Sequence, residues 1–135
     1  MPLLRLAIIT GDSAYERVAA AGLRSARELM TRFPTGAGQW LCALDSYLTP
    51  TREVAIIGDP EEQATQVLRA EVFRHYIPNR VLLGGALPGP GGLEELPLMQ
   101  GREMIDGHAT AYVCENYVCK LPVTEPQALA SQLAE

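Results

Sequence analysis

Pro50 separates two hydrophobic patterns that no single repeating element can satisfy. Before it, apolar residues recur at helical spacing. After it comes Val54-Ala55-Ile56-Ile57, a short continuous apolar run of the kind covered on both faces in a sheet. A turn rich in capping residues, a helical pattern and a second run, Val81-Leu82-Leu83, follow at once. That order reads as a βαβ unit, for which a right-handed crossover is expected. The expected fold is therefore α/β: a helical hairpin segment over residues 1–49 and a small α/β domain over residues 50–135. The N-terminal helices are expected to pack on a three- to four-stranded, mostly parallel sheet, with a helix at the C-terminal end. No internal repeat of fixed period is visible.

In the first segment, Leu3, Leu4, Leu6, Ala7 and Ile8 read as the last turns of a helix closed by Thr10-Gly11-Asp12. Ser13-x-x-Glu16 has the form of a capping box and predicts a new helix, whose apolar stripe runs from Tyr15 to Phe33 before Pro34 stops it. Gly36 to Leu48 predicts a third helix. Trp40 and Tyr47, seven residues apart, share its face and are expected in the core in preference to a sugar-stacking platform.

In the second segment, strands are expected near residues 53–57, 80–84, 109–114 and, briefly, 117–121. Asp59 is placed as N-cap, Pro60 at the first helical position and Glu62 as the reciprocal partner of a helix running toward Tyr76. That helix is expected to bury Ala64, Val67, Leu68, Val72 and Tyr76. Gly84 to Gly92 holds five glycines and two prolines, so an irregular, mobile path is expected. A short helix or turn is expected within Leu93 to Met99, and Thr124-x-x-Gln127 is the expected cap of the last helix.

Composition narrows the function classes. A chain of 135 residues buries about 70% of its unfolded surface, enough to fold without metal or disulfide staples. With 47% apolar and 20% charged residues it reads as globular. No apolar stretch approaches the ~20 residues of a spanning helix and no export signal is visible, so the cytoplasm is the default expectation and no membrane partner is expected. The net charge of −5 carries no basic run, which argues against nucleic acid. The excess of acid lies after Pro50, where six cations meet twelve anions; before it, five meet four.

Few residues invite chemistry. Gly58-Asp59-Pro60 is a strand-to-helix turn, the place where free amides and a helix dipole can hold phosphate. Asp59, Glu61 and Glu62 repel an anion there, and neither a GxGxxG pattern nor a Walker lysine is present, so a well-capped helix start is the plainer reading. Cys114 and Cys119 form a C-x4-C across an expected hairpin, where facing positions can approach the ~5.5 Å between Cα atoms that a disulfide needs. A redox pair is one reading; buried, reduced structural cysteines are the plainer one. With Cys42, His75 and His108 scattered, no metal knuckle forms and no metal is expected. His75 is expected to cap a helix C-terminus. His108, after Asp106-Gly107, is expected to face a crevice at the sheet edge.

One further set of residues carries a family likeness. Leu3-Leu4-Arg5-Leu6 to Thr10-Gly11-Asp12, Trp40-Leu41-Cys42-Ala43-Leu44-Asp45, Glu53 to Pro60, Tyr76-Ile77-Pro78-Asn79, and above all Thr110-Ala111-Tyr112-Val113-Cys114-Glu115-Asn116 with Cys119-Lys120-Leu121-Pro122 resemble the carboxy-terminal end of the YyaL-like family. These are thioredoxin-domain-containing proteins related to spermatogenesis-associated protein 20. The resemblance implies the last hairpin of an α/α toroid, of the type seen in sugar epimerases and six-hairpin glycosidases, followed by a small α/β tail. The family's Cys-x-x-Cys domain has no counterpart in this sequence, so its redox role is not carried to Cys114 and Cys119.

Two function classes follow. The first is a noncatalytic structural or interaction module, with homodimerisation or a missing toroid domain covering the apolar first helix. The second is a sugar- or nucleotide-binding or enzymatic domain using the crevice at the carboxyl ends of the strands. Gly58, Asp59, Gly84, Gly85, His108, Glu115 and Asn116 are its expected lining, with Asp59 and Glu115 as a candidate carboxylate pair. No catalytic residue is assigned and no cofactor is expected.

Overall fold

The computed structural model describes residues 2–135, which fall into two compact units that divide between Thr51 and Arg52. The first unit is helical: α1 (Pro2–Thr10), α2 (Ser13–Ser25), α3 (Arg27–Arg32) and α4 (Gly38–Leu48). Gly11, at φ 70°, takes the left-handed conformation that closes α1, and its N–H donates to the Ala7 carbonyl. The cap of α2 is Asp12 and not Ser13. Asp12 is extended, and its Oδ1 accepts from the Ala14 N–H at 2.8 Å, while the Ser13 hydroxyl takes a hydrogen bond from Arg17. The long stripe expected from Tyr15 to Phe33 breaks at Ala26, whose ψ of 0° lies outside the helical range. Helix α4 starts two residues later than expected. Trp40 and Tyr47, expected in the core, are exposed. Among the described residues of this unit only Ala20, Leu23, Ala26, Ala37 and Ala43 are buried.

The second unit is built on four strands: β1 (Arg52–Ile57), β2 (Arg80–Gly85), β3 (Thr110–Glu115) and β4 (Val118–Cys119), in the order β2-β1-β3-β4. Helix α5 (Gln63–Arg74) links β1 to β2, and α6 (Pro126–Ala134) ends the chain. The class is α/β, as the sequence indicates, but the sheet is mixed where a mostly parallel one was expected. Only β1 and β2 are parallel; β3 runs antiparallel to β1, and β4 antiparallel to β3. The reason lies in the connections, since the tight turn at 116–117 forces an antiparallel pair and the long stretch before β3 returns that strand in reverse.

Strand β1 is central, and every residue from Glu53 to Ile57 is buried. Its Val54 and Ile56 join Ala111 and Val113 of β3, Leu68 and Val72 of α5, and Leu129 and Leu133 of α6 in one core. Each such large side chain contributes about 1.5–3 kcal/mol by leaving water. The stretch between β2 and β3, which includes a 3₁₀ turn at Leu93–Glu95, runs along the opposite face of β3. There Tyr112 Oη donates to the Glu103 carbonyl at 2.7 Å and Thr110 Oγ1 accepts from the Ile105 N–H at 2.9 Å. Leu98 and Met99 of this stretch are fully buried.

Helix α5 begins later than its capping pattern suggests. Asp59 Oδ1 accepts from the Glu61 N–H at 2.9 Å, and the Glu62 N–H donates to the Asp59 carbonyl at 3.1 Å, so Asp59 closes a turn of its own. The helix then starts at Gln63, with Glu62 at the N-cap position making no side-chain capping bond. Its buried stripe is Thr65, Leu68, Glu71 and Val72, whereas Ala64 and Val67 are exposed and Tyr76, beyond its end, is 92% exposed. Likewise α6 has Glu125 at its N-cap position and Pro126 as its first residue, without the expected Thr124 cap. Strand β4 is cut to two residues; just past it the Lys120 N–H donates to the Val113 carbonyl at 2.9 Å, and the chain rejoins β3 through paired hydrogen bonds between Val123 and Ala111.

Candidate functional site

The parallel register places Ile57 beside Gly85, so Gly58, Asp59, Gly84 and Gly85 meet at the carboxyl ends of β1 and β2, as the crevice argument requires. The Gly58 N–H donates to the Gly85 carbonyl at 3.1 Å. Gly58 is obligatory through close approach: a Cβ built on it would collide with Thr65 Oγ1 and stand 3.0 Å from Ala109 Cβ. Beside these glycines is a cleft of about 230 Å³, walled by Ile56, Pro60, Thr65, Arg69, Phe73 and Gly84. Thr65 Oγ1 is buried there with no hydrogen-bond partner. Asp59 is exposed, and its carboxylate is committed to the Glu61 amide.

Glu115 and Asn116 do not belong to this crevice. Because β3 is antiparallel, Glu115 pairs with Arg52 and Thr110 with Ile57, which puts Glu115 and Asn116 at the other end of the sheet. Five strand steps of about 3.3 Å separate the two ends, too far for Asp59 and Glu115 to act as a carboxylate pair. His108 stays at the crevice end, two residues before Thr110. It is exposed, and its N–H donates to the Ile105 carbonyl at 2.9 Å across the turn at Asp106-Gly107. His75 takes the C-cap position of α5, where Nε2 lies 3.1 Å from Glu71 Oε1.

The opposite end holds a second cluster. Asn116 and Tyr117, at φ 51° and 61°, make a two-residue turn that sets Cys114 against Cys119. The two cysteines form a disulfide with Cα atoms 3.9 Å apart, which corrects the plainer expectation of a reduced pair: the tight turn brings the facing positions together. Cys114 is 2% exposed and Cys119 is exposed. Arg102 lies across both, its Nη2 2.8 Å from Cys119 Sγ and 3.2 Å from Cys114 Sγ, with the Tyr112 ring centroid 5.3 Å from its guanidinium carbon. Glu53, the β1 register partner of Cys114, is buried and accepts from the Tyr117 N–H at 2.9 Å. Burial raises the Glu53 carboxyl above its ordinary value, partly opposed by the Tyr117 amide and the charge of Arg102. Burial likewise lowers the Arg102 guanidinium, partly opposed by Tyr112 and Glu53. Among the described residues, no group of three or more His, Cys, Asp or Glu stands together to hold a metal ion, and no helix is long and apolar enough to cross a membrane.

Comparison with known proteins bears on the whole chain. Spermatogenesis-associated protein 20 of Homo sapiens is 33% identical over 132 residues, that of Rattus norvegicus 31% and that of Mus musculus 30% over the same length. Each alignment covers 97% of this chain. Over nearly its whole length the chain is homologous to a C-terminal part of spermatogenesis-associated protein 20. It spans 17% of the length of these relatives. No protein-family profile matches it, and neither does any solved structure.

In this relative of spermatogenesis-associated protein 20, two residues escape the sequence pattern, Glu53 and Arg102. Glu53 carried a readable signal, an acid inside a strand buried on both faces. Arg102 carried none, because it sits in an aperiodic connection whose path only the structure reveals.

Proposed function

We propose that this chain is a noncatalytic structural and interaction module of a longer, thioredoxin-domain-containing protein, its helical unit completing the last hairpin of a larger helical toroid. The observation that carries the reading is the thin core of the helical unit. Among its described residues, four of the five that are buried are alanine, while Val18, Phe33 and Leu48 are 60%, 63% and 70% exposed. Burying a Leu, Val or Phe contributes about 1.5–3 kcal/mol, so a unit that leaves them in water is weakly held by itself. Exposed apolar surface on that scale marks an interaction face. The occupant is the remainder of the parent chain, since the relatives extend far beyond the 17% that matches. A second copy of this chain is the competing occupant. The cytoplasm is the compartment this reading assumes.

Amide exchange and sedimentation test it. The helical unit should exchange faster than the α/β unit in the isolated chain and gain protection when the remainder of a relative's chain is added. Equal protection of the two units, with no binding, would overturn the reading. Protection that grows only with the concentration of the chain itself would identify a homodimer instead.

A second reading, small-molecule binding at the cleft beside Gly84 and Gly85, is favoured by one observation. The buried Thr65 hydroxyl has no partner at the wall that Arg69 shares. A hydroxyl near a cation suits a ligand bearing an anion, such as a sugar phosphate or nucleotide. Ligand at a hundred times its dissociation constant should add about 2.7 kcal/mol of stability in a thermal-shift screen, and no shift with any of them removes this reading.

A further inference from the structure

Arg102 is a half-buried cation that feels the charge of Glu53 but makes no ion pair with it. Its Nε is buried and unpartnered, its Nη1 reaches only the Gln100 carbonyl at 3.3 Å, and among the described residues it makes no ion pair. Its closest remaining neighbours are the two sulfurs of the Cys114–Cys119 disulfide, which are neutral and weak acceptors. Reduction would turn those sulfurs into thiols whose ionised forms supply a negative charge in direct contact with the guanidinium. An opposite charge this close lowers a thiol pKa, and stabilising the reduced form makes a disulfide easier to reduce.

We propose that Cys114 and Cys119 form a thiol–disulfide exchange site for a dithiol reductant, with Arg102 holding the thiolate that leaves. The access is asymmetric. Cys119 is exposed and Cys114 is buried, so the incoming thiolate attacks Cys119 Sγ. A bond forms between the reductant sulfur and Cys119 as the Cys114–Cys119 bond breaks, and the electron pair leaves on Cys114 Sγ beside Arg102. The second thiolate of the reductant then attacks its own sulfur in the mixed disulfide and releases Cys119. The reductant departs as a disulfide, having given up two electrons and two protons, and the cysteines or solvent take the protons. The other titratable groups around the pair are Glu53, Tyr112, Glu115, Tyr117 and Lys120. Glu53, when ionised, opposes the thiolate but is engaged by the Tyr117 amide, and Lys120 is paired with Glu135.

The test uses the full chain with Cys42→Ser, because Cys42 is an exposed free cysteine that would react as well. The fraction reduced in dithiothreitol and glutathione buffers is trapped by alkylation, and thiolate absorbance is followed against pH. The lower thiol pKa should fall below the ~8.5 of free cysteine. Arg102→Met should raise it by about one unit or more and shift the equilibrium toward the disulfide about tenfold, whereas Arg102→Lys should keep most of the effect. If Arg102→Met does not fold, the Lys variant and the parent pKa still decide. A parent pKa at or above ~8.5, equal behaviour of the folded variants, or cysteines that never pair in any buffer would each overturn the proposal.

Discussion

The Glu53 carboxylate accepts the backbone N–H of Tyr117 at 2.9 Å, tying the central strand to the tip of a hairpin sixty-four residues away in sequence. Burial is the largest influence on this carboxyl and raises its pKa above the ordinary value of 4.5. A raised acid is at its most favourable when protonated. Its contribution to stability is fully present below pH 4.5 and is lost as pH rises through the elevated pKa. Glu53→Gln keeps an acceptor for Tyr117 but cannot ionise, so its melting temperature should fall less than the parent's between pH 4.5 and neutrality. Glu53→Ala leaves that amide unpaired and should cost about 1–3 kcal/mol by urea unfolding. Parallel pH profiles for the parent and Glu53→Gln would show that the carboxyl titrates normally.

Gly58 and Thr65 should be coupled. A methyl at Gly58 collides with Thr65 Oγ1 and crowds Ala109, so Gly58→Ala should destabilise by about 1–3 kcal/mol. Thr65→Ala removes the hydroxyl, which is buried and unpartnered, and should be tolerated far better than an ordinary loss of a buried polar group. The double variant should recover part of the Gly58→Ala loss, with Ala109 accounting for the rest. Strict additivity in a double-mutant cycle would show that the two do not touch.

The same contrast between local and distant information explains how much of this fold could be read in advance. The Val54–Ile57 run and the turn after it announced a parallel pair because a strand buried on both faces has no polar alternation to disguise it. Gly58, Asp59, Gly84 and Gly85 meet at one end of that pair for the same reason. Strand direction for β3 is not legible, since nothing in the aperiodic residues before it fixes where they return, and Glu115 and Asn116 therefore lie at the end opposite the expected one. Trp40 and Tyr47 show another limit: period identifies which residues share a helical face but not whether anything covers it. Arg102 gained its meaning only from the sulfurs it reaches.

Gly22 lies within α2, where glycine lowers helix stability relative to alanine by about 0.5–1 kcal/mol. Here the space for a methyl exists. The nearest atom to an added Cβ is Cζ3 of Trp40, at 3.6 Å, an ordinary contact. Gly22→Ala should therefore stabilise the helical unit by up to about 1 kcal/mol, visible as slower amide exchange in α2 and α4. Faster exchange there would mean that Trp40 needs the bare backbone for its seat.

Tyr117 occupies the second position of the Asn116-Tyr117 turn with φ at 61°, a conformation that side chains other than glycine adopt at a cost of about 1–2 kcal/mol. Two-residue hairpins of this form favour Asn-Gly, and Asn116 already meets the first half of that preference. The tyrosine side chain is 45% exposed, so its removal forfeits only part of its apolar contact. The N–H that Glu53 accepts belongs to the backbone and survives the change. Tyr117→Gly should thus leave the turn and its disulfide in place and alter stability by less than about 1 kcal/mol, in the stabilising direction where backbone relief outweighs lost contact. Asn116→Val places a β-branched residue at φ 51° and should destabilise the hairpin by more than Tyr117→Gly changes it. Chemical denaturation of the oxidised chain measures both. A larger loss from Tyr117→Gly than from Asn116→Val would show that the tyrosine ring, and not the backbone, holds this end of the sheet.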